Sequence, residues 1–268
     1  EATAGNTSSG TNTGTISVGD NVTGMYGIGA AAGNTGTITN SGTIQSLPLS
    51  ADKAIGMYIG AHGSGVNAGN IRLTAVGTDK DQVGVYNQSG TFSMGSGNIE
   101  VYSQNGAGLY AKAGTVNNLS GGIIKTGSGA IGLYADNGAT IQLSGTYKSI
   151  VDNGGIFALN NGSGNINIPV GNNIVVDVEA GGMAFSSTGA LNTYLSSLVT
   201  GGGTLEVNLK DPTSKLAILD TPGTILLSSL GSAYAPGATI TPQVKISSSS
   251  NPNYTPFSIT KGTLIVDQ

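Results

Sequence analysis

Short apolar phrases of four to six residues, bounded by Gly, Asn or Ser, recur along most of this chain. Two kinds of phrase alternate. The first places a tyrosine after a glycine and an apolar residue: Gly24-Met25-Tyr26, Gly56-Met57-Tyr58, Gly84-Val85-Tyr86, Gly108-Leu109-Tyr110 and Gly132-Leu133-Tyr134. The second is Gly-x-Ile, as at Gly36–Ile38, Gly42–Ile44, Gly69–Ile71, Gly97–Ile99 and Gly164–Ile166. No apolar period of about 3.6 residues runs through the region. The lengths and the punctuation predict strands.

The tyrosines are spaced 32, 28, 24 and 24 residues apart. Across Gly108–Gly145 the repeat is tightest: Gly114 and Gly138 match, as do Leu119-Ser120-Gly121 and Leu143-Ser144-Gly145. Phe157, 23 residues after Tyr134, reads as the aromatic of the next repeat. Self-similarity at such a period predicts a solenoid.

Strand alternation assigns faces. Residues one and three before each tyrosine are mostly apolar, Met25, Met57, Val85, Leu109 and Leu133 among the first, Thr23, Ile55, Val83, Ala107 and Ile131 among the second. They are expected in the core. The tyrosines, the glycines two before them, and Gln88, Lys112 and Asp136 two after are expected outside, since Lys and Asp are rarely buried. In the second phrase Ile71 and Leu73 flank Arg72, and Ile99 and Val101 flank Glu100, which gives the same division.

Two to three five-residue strands per period of 24 predict an all-β fold, a right-handed parallel β-helix. Roughly seven coils would make a rod of about 30–40 Å at a rise of about 4.8 Å. Asn and Gly at the corners meet the need for positive φ. Two coils are longer, by residues around Gln45–Lys53 with Pro48, and near Gly77–Gln82 with Asp79 and Asp81. Insertions in repeats map to loops, where function concentrates.

Composition changes after about Gly182. Of 8 Pro, 6 lie beyond residue 200, and of 45 Gly only 8 lie beyond residue 185. The division expected is a β-helix over 1–185 and a more irregular C-terminal capping segment over 186–268. Leu191, Tyr194, Leu195, Leu198 and Val199 predict one short helix, capped by Ser187 or Thr188 and stopped at Gly201. Strands are expected at Thr204–Leu209, Leu216–Leu219, Thr224–Leu227, Val244–Ile246 and Thr263–Val266.

Charged residues are only 9% of the chain, far below the roughly 25% of ordinary domains. The net charge of -4 and the scattered basic residues argue against nucleic acid and anionic membrane as partners. No apolar run approaches the roughly 18 residues of a membrane-spanning helix. Cysteine is absent, so disulfides are excluded. The chain opens in mid-composition at Glu1, as a mature piece of something longer would.

The Gly-apolar-Tyr-Ala coils, the phrases Asn34–Ile38, Asn40–Ile44 and Asn67–Ile71, and the low-charge, cysteine-free composition together resemble the passenger domains of type V autotransporters. These are large surface adhesins of Gram-negative bacteria. The resemblance covers residues 14–180. It implies a rod on the bacterial cell surface, attached to the outer membrane by a C-terminal barrel that these residues do not include. It further implies roles in cell adhesion, coaggregation, biofilm or virulence.

Candidate chemistry is sparse. His62 is the only histidine, in Ala61-His62-Gly63-Ser64-Gly65, a Gly-rich corner rather than a strand-turn-helix nucleophile elbow. A Ser-His-Asp site would need an acid to orient it. A glycosidase needs two carboxylates within about 10 Å, and no spaced pair recurs in register. Asp79 and Asp81 alone fall short of the six to eight oxygens of a Ca²⁺ site, and one histidine without cysteine excludes an ordinary zinc site. No enzyme, metal or cofactor is expected. The sharper candidate is a ladder of Tyr26, Tyr58, Tyr86, Tyr110 and Tyr134 on one outer face, docking a protein or glycan receptor of host or bacterial cells. The plain alternative is that the rings stack only on each other for stability. The function expected is an adhesin fragment. A stalk presenting a distant tip and a polysaccharide-active β-helix enzyme are the alternatives, and self-association is open.

Overall fold

The computed structural model describes residues 7–30, 33–48, 50–74, 79–112, 115–136, 138–160, 163–187, 199–219, 224–226, 243–248, 257–259 and 263–265. Three long sheets contain eight, nine and nine strands, and a separate pair joins Thr224–Leu226 to Thr263–Ile265. Each turn of the chain lays one strand into each long sheet. The first turn contributes Ser8–Asn12 to the first sheet, Thr15–Val18 to the second and Thr23–Gly27 to the third. The next contributes Gly36–Asn40, Thr43–Ser46 and Ile55–Ile59, each parallel to its predecessor. This is a parallel β-solenoid, as the repeat predicts, and no helix occurs among the described residues.

Strands Thr204–Leu209 and Lys215–Leu219 continue the second and third sheets, followed by Gln243–Ser248 and Phe257–Ile259. The expected helix falls largely on residues 188–198, outside the described residues; Ser187 ends one strand and Val199 opens another.

The second sheet follows the alternation expected of it. Ile16, Ile44, Ile71, Ile99 and Ile124 stand in register along its inner face. The last four are fully buried. Each buried isoleucine contributes about 1.5–3 kcal/mol relative to exposure. Between Ile71 and Leu73, Arg72 points outward and is exposed.

The third sheet corrects one assignment. The glycine before each apolar-tyrosine pair faces inward, not outward, so two successive residues point into the core. A Cβ on Gly56 would lie 2.7 Å from Ile71 Cγ2, and one on Gly84 would lie 2.5 Å from Ile99 Cγ2. The residue before that glycine is therefore turned outward. Ile55, Val83 and Ile131 are half-buried on the outer surface rather than in the core. Strict alternation fails because each of these turns carries the same bulge-like pair, and in them the glycine at its first position leaves no room for a Cβ between stacked turns. Met57, Val85, Leu109 and Leu133 are fully buried as expected.

At the end of the first-sheet strands, Asn12, Asn40 and Asn67 form a buried amide ladder. Asn12 Nδ2 donates to Asn40 Oδ1 at 2.8 Å, and Asn40 Nδ2 to Asn67 Oδ1 at 2.8 Å. In later turns Met94, Leu119 and Leu143 take the same column.

Candidate functional site

Register along the third sheet places Tyr26, Tyr58, Tyr86, Tyr110 and Tyr134 directly beside one another. Their ring centroids are 4.8, 5.4, 5.0 and 4.7 Å apart in sequence, so the ladder read from the repeat forms in full. Interplanar angles rise from 13° at Tyr26–Tyr58 to 36° at Tyr110–Tyr134. Because the stack follows the solenoid axis, the rings shield one another's faces and present edges and hydroxyls to solvent. Tyr26, at the end of the stack, is the most open at 57% exposure.

The ladder is tied to its surroundings at two points. The Tyr58 hydroxyl donates to Gln88 Oε1, and the Tyr110 hydroxyl to Asp136 Oδ2 at 3.4 Å. Partial burial pushes the Tyr110 phenol up to about 12, and the charge of Asp136 adds to that shift. Tyr134 is raised for the same two reasons, and Tyr58 by burial and then by its neighbours Tyr26 and Tyr86. These three phenols are neutral donors at ordinary pH.

A groove of about 280 Å³ runs beside Tyr86, Tyr110 and Tyr134. Val83, Ala107 and Ile131 form its floor, and Asp81, Asn105 and Gly106 its opposite lip. Alternation had placed the floor residues in the core; Val83 and Ile131 are half-buried instead, and Ala107 is buried. Asp81 was weighed only as a cation ligand, and Asn105 was missed. The one available signal for Asn105 was the Asn-Gly pair just before a tyrosine strand, which marks a turn.

The lip is a column of left-handed corners between the second and third sheets. Asn21, Lys53, Asp81 and Asn105 have φ of 56°, 53°, 57° and 59°. Backbone bonds connect the turns: Lys53 N–H donates to Lys80 O, and Asp81 N–H to Gln104 O, both at 2.9 Å. Such a conformation suits Asn and Asp and pins the side-chain root.

Arg72–Glu100 at 2.8 Å, Lys125–Asp152 at 3.1 Å, and Asp177 with Lys148 at 2.5 Å and Lys210 at 3.3 Å are ion pairs of the second sheet or its ends. Asp177 is pushed up by burial, but bonds from Lys148, Asn208 and Lys210 outweigh this and hold it below the usual carboxylate range.

The other chemical candidates are placed as follows. His62 is exposed at a corner with φ 54°, beside a hollow lined by Thr35, Ser89 and Thr91 with no acidic residue. Asp79 Oδ2 accepts from the Ala51 amide at 2.7 Å. Among the described residues no three His, Cys, Asp or Glu side chains gather as a metal would need.

The fold and this face define a parallel β-solenoid with an outer tyrosine ladder. No family model, curated protein or solved structure matches the chain.

Proposed function

We propose that this chain is part of a bacterial surface adhesin of the autotransporter passenger type, and that its third sheet is the contact face. The observation that carries the reading is the tyrosine ladder with its groove, on a face set apart from the ion pairs of the second sheet. Exposed aromatic residues supply much of the contact energy of binding surfaces. The partner is a protein or glycan receptor on host or neighbouring bacterial cells. The chain acts by binding rather than catalysis, outside the cell, and its parent is held in the outer membrane by a barrel. Nucleic acid is not a partner, given the acidic balance.

The test is attachment of the purified chain to host cells, partner bacteria and a glycan array, against a heat-denatured control. Specific attachment that is lost in Tyr86→Ser/Tyr110→Ser/Tyr134→Ser, with the β spectrum intact, supports the reading. Attachment unchanged in that variant would sink the role of the ladder. A second reading, a stalk that presents a distant tip, is favoured by the rings' mutual stacking at 4.7–5.4 Å, which engages their faces with each other. A folded chain that attaches to nothing would favour the stalk.

A further inference from the structure

We infer that the groove beside Tyr86, Tyr110 and Tyr134 takes an uncharged saccharide about two sugar rings long. The inference rests on the proposed contact face and names what that face binds.

The groove exists because of one small residue. In the outward row of the third sheet, Ala107 stands in register between Val83 and Ile131, and the same row carries Ile55 and Ile156 in other turns. Alanine in a row of branched residues leaves a depression across three turns, about 10 Å at a strand spacing of about 4.8 Å. That suits a disaccharide lying along the axis. Its C–H face meets Ala107 and the tyrosine edges, since the ring faces are already covered by their neighbours.

The lip supplies the polar half of recognition. Asp81 and Asn105 sit one turn apart, and neither side chain makes a hydrogen bond among the described residues. Acidic residues one position earlier in the same corner column are engaged. Asp20 accepts from the Ser50 hydroxyl and from the Asp52 amide, and Asp52 accepts from the Lys80 amide at 2.9 Å. A carboxylate accepts from hydroxyls, and a carboxamide both donates and accepts, which matches the hydroxyl edge of a sugar. An apolar floor with a few fixed polar groups is the usual form of a small-ligand site.

Charge and backbone narrow the class. Among the described residues Asp81 is the only charged side chain lining the groove, so an anionic glycan would meet a like charge there. An extended peptide would need a free sheet edge for main-chain bonds. The floor is a sheet face whose strands are paired on both sides.

The test titrates the intact chain with lactose, chitobiose and maltose at millimolar concentration, with sialyllactose and a lysine-rich peptide as charged probes. Binding is followed by amide resonances of the groove. Ala107→Ile fills the depression with a side chain the row already holds at Ile131 and Ile156, so the fold should tolerate it. Asp81→Asn keeps a residue suited to the left-handed corner. At least one neutral disaccharide should bind, with affinity reduced about tenfold or more by Ala107→Ile and several-fold by Asp81→Asn. Preference for sialyllactose or the peptide, or silence of the groove toward all three disaccharides, would overturn the inference. Cell attachment that survives Ala107→Ile and all three disaccharides would overturn it while leaving the adhesive reading intact. Disaccharide binding without cell attachment would sustain it while that reading falls.

Discussion

Phe157 stands in register with Gly132, not with Tyr134, whose partner is Leu159. It is a core residue, fully buried, and touches Phe185 edge-on at 6.0 Å between ring centroids. The inward pair of the third sheet thus changes from Gly132-Leu133 to Phe157-Ala158 and then to Ala184-Phe185. One large and one small side chain share the space in each turn. The rule predicts that enlarging the glycine alone is costly. A Cβ on Gly108 would lie 2.6 Å from Ile124 Cγ2 and 2.7 Å from the Gly132 carbonyl oxygen, which is backbone and cannot yield. Gly108→Ala should cost about 1–3 kcal/mol in urea unfolding. Gly10→Ala, where nothing lies within 4 Å, should stay within about 0.5 kcal/mol. Equal effects at the two sites would defeat the argument.

The buried amide ladder predicts an asymmetry between single and joint replacement. Asn40 Nδ2 reaches Asn67 Oδ1 at 2.8 Å and Asn70 O at 3.2 Å, and its Oδ1 receives Asn12 Nδ2. Asn40→Ala strands partners on both sides, so a loss of about 1–3 kcal/mol is expected. Changing Asn12, Asn40 and Asn67 together to leucine should cost less than three times that. The column already runs on through Met94, Leu119 and Leu143. Thermal or urea unfolding of the parent and the two variants decides it, and a triple loss of three times the single loss or more would count against a cooperative ladder.

These two cases also show what the sequence could reveal. The Gly-apolar-Tyr repeat carried the solenoid and the ladder, because identical residues at near-constant spacing must stack when turns stack. Strand alternation then misassigned Gly84 and Val83, since a bulge common to every turn leaves no irregularity in the pattern. The error hid the groove floor, and with it the candidate site. Phe157 was misread for a related reason: spacing alone counts residues, whereas register depends on where each turn inserts one. Asn105 had no residue of its own kind in the preceding two turns, because its corner column reads Asn21, Lys53, Asp81 and Asn105.

Asp177 predicts an acid limb of stability. Its folded pKa lies below its ordinary value of 3.8, held there by Lys148, Asn208 and Lys210 against the opposing effect of burial. A depressed carboxylate contributes stability that is fully present above its unfolded pKa and is lost as pH falls through the lower folded value. Melting temperature should therefore be insensitive to this group above about pH 5 and decline below about pH 4. Asp177→Asn should be less stable than the parent at neutral pH, since Lys148 and Lys210 lose their counter-ion. The gap should narrow as pH falls through the acid range. A constant gap from neutral to acid pH would show that the ion pairs are not responsible.

The tyrosines predict the opposite limb. Tyr110 and Tyr102 are both raised to about 12, in each case first by burial and then by an aspartate, Asp136 for Tyr110 and Asp152 for Tyr102, whose hydroxyl bonds to it. The fully buried Tyr147 is pushed up further, by burial. A phenol with a raised folded pKa contributes stability that is present below its unfolded value near 10 and is lost as pH rises through the folded value. Phenolate absorbance of the folded chain should therefore show a late-titrating group of tyrosines. The same chain in concentrated urea should titrate as one population near 10. Tyr110→Phe should remove one late phenol. Asp136→Asn should bring Tyr110 down only in part, because burial is the larger cause. If all tyrosines of the folded chain titrated together near 10, the rings would be more open to water than this ladder permits, and the packing of the third-sheet face would have to be redrawn.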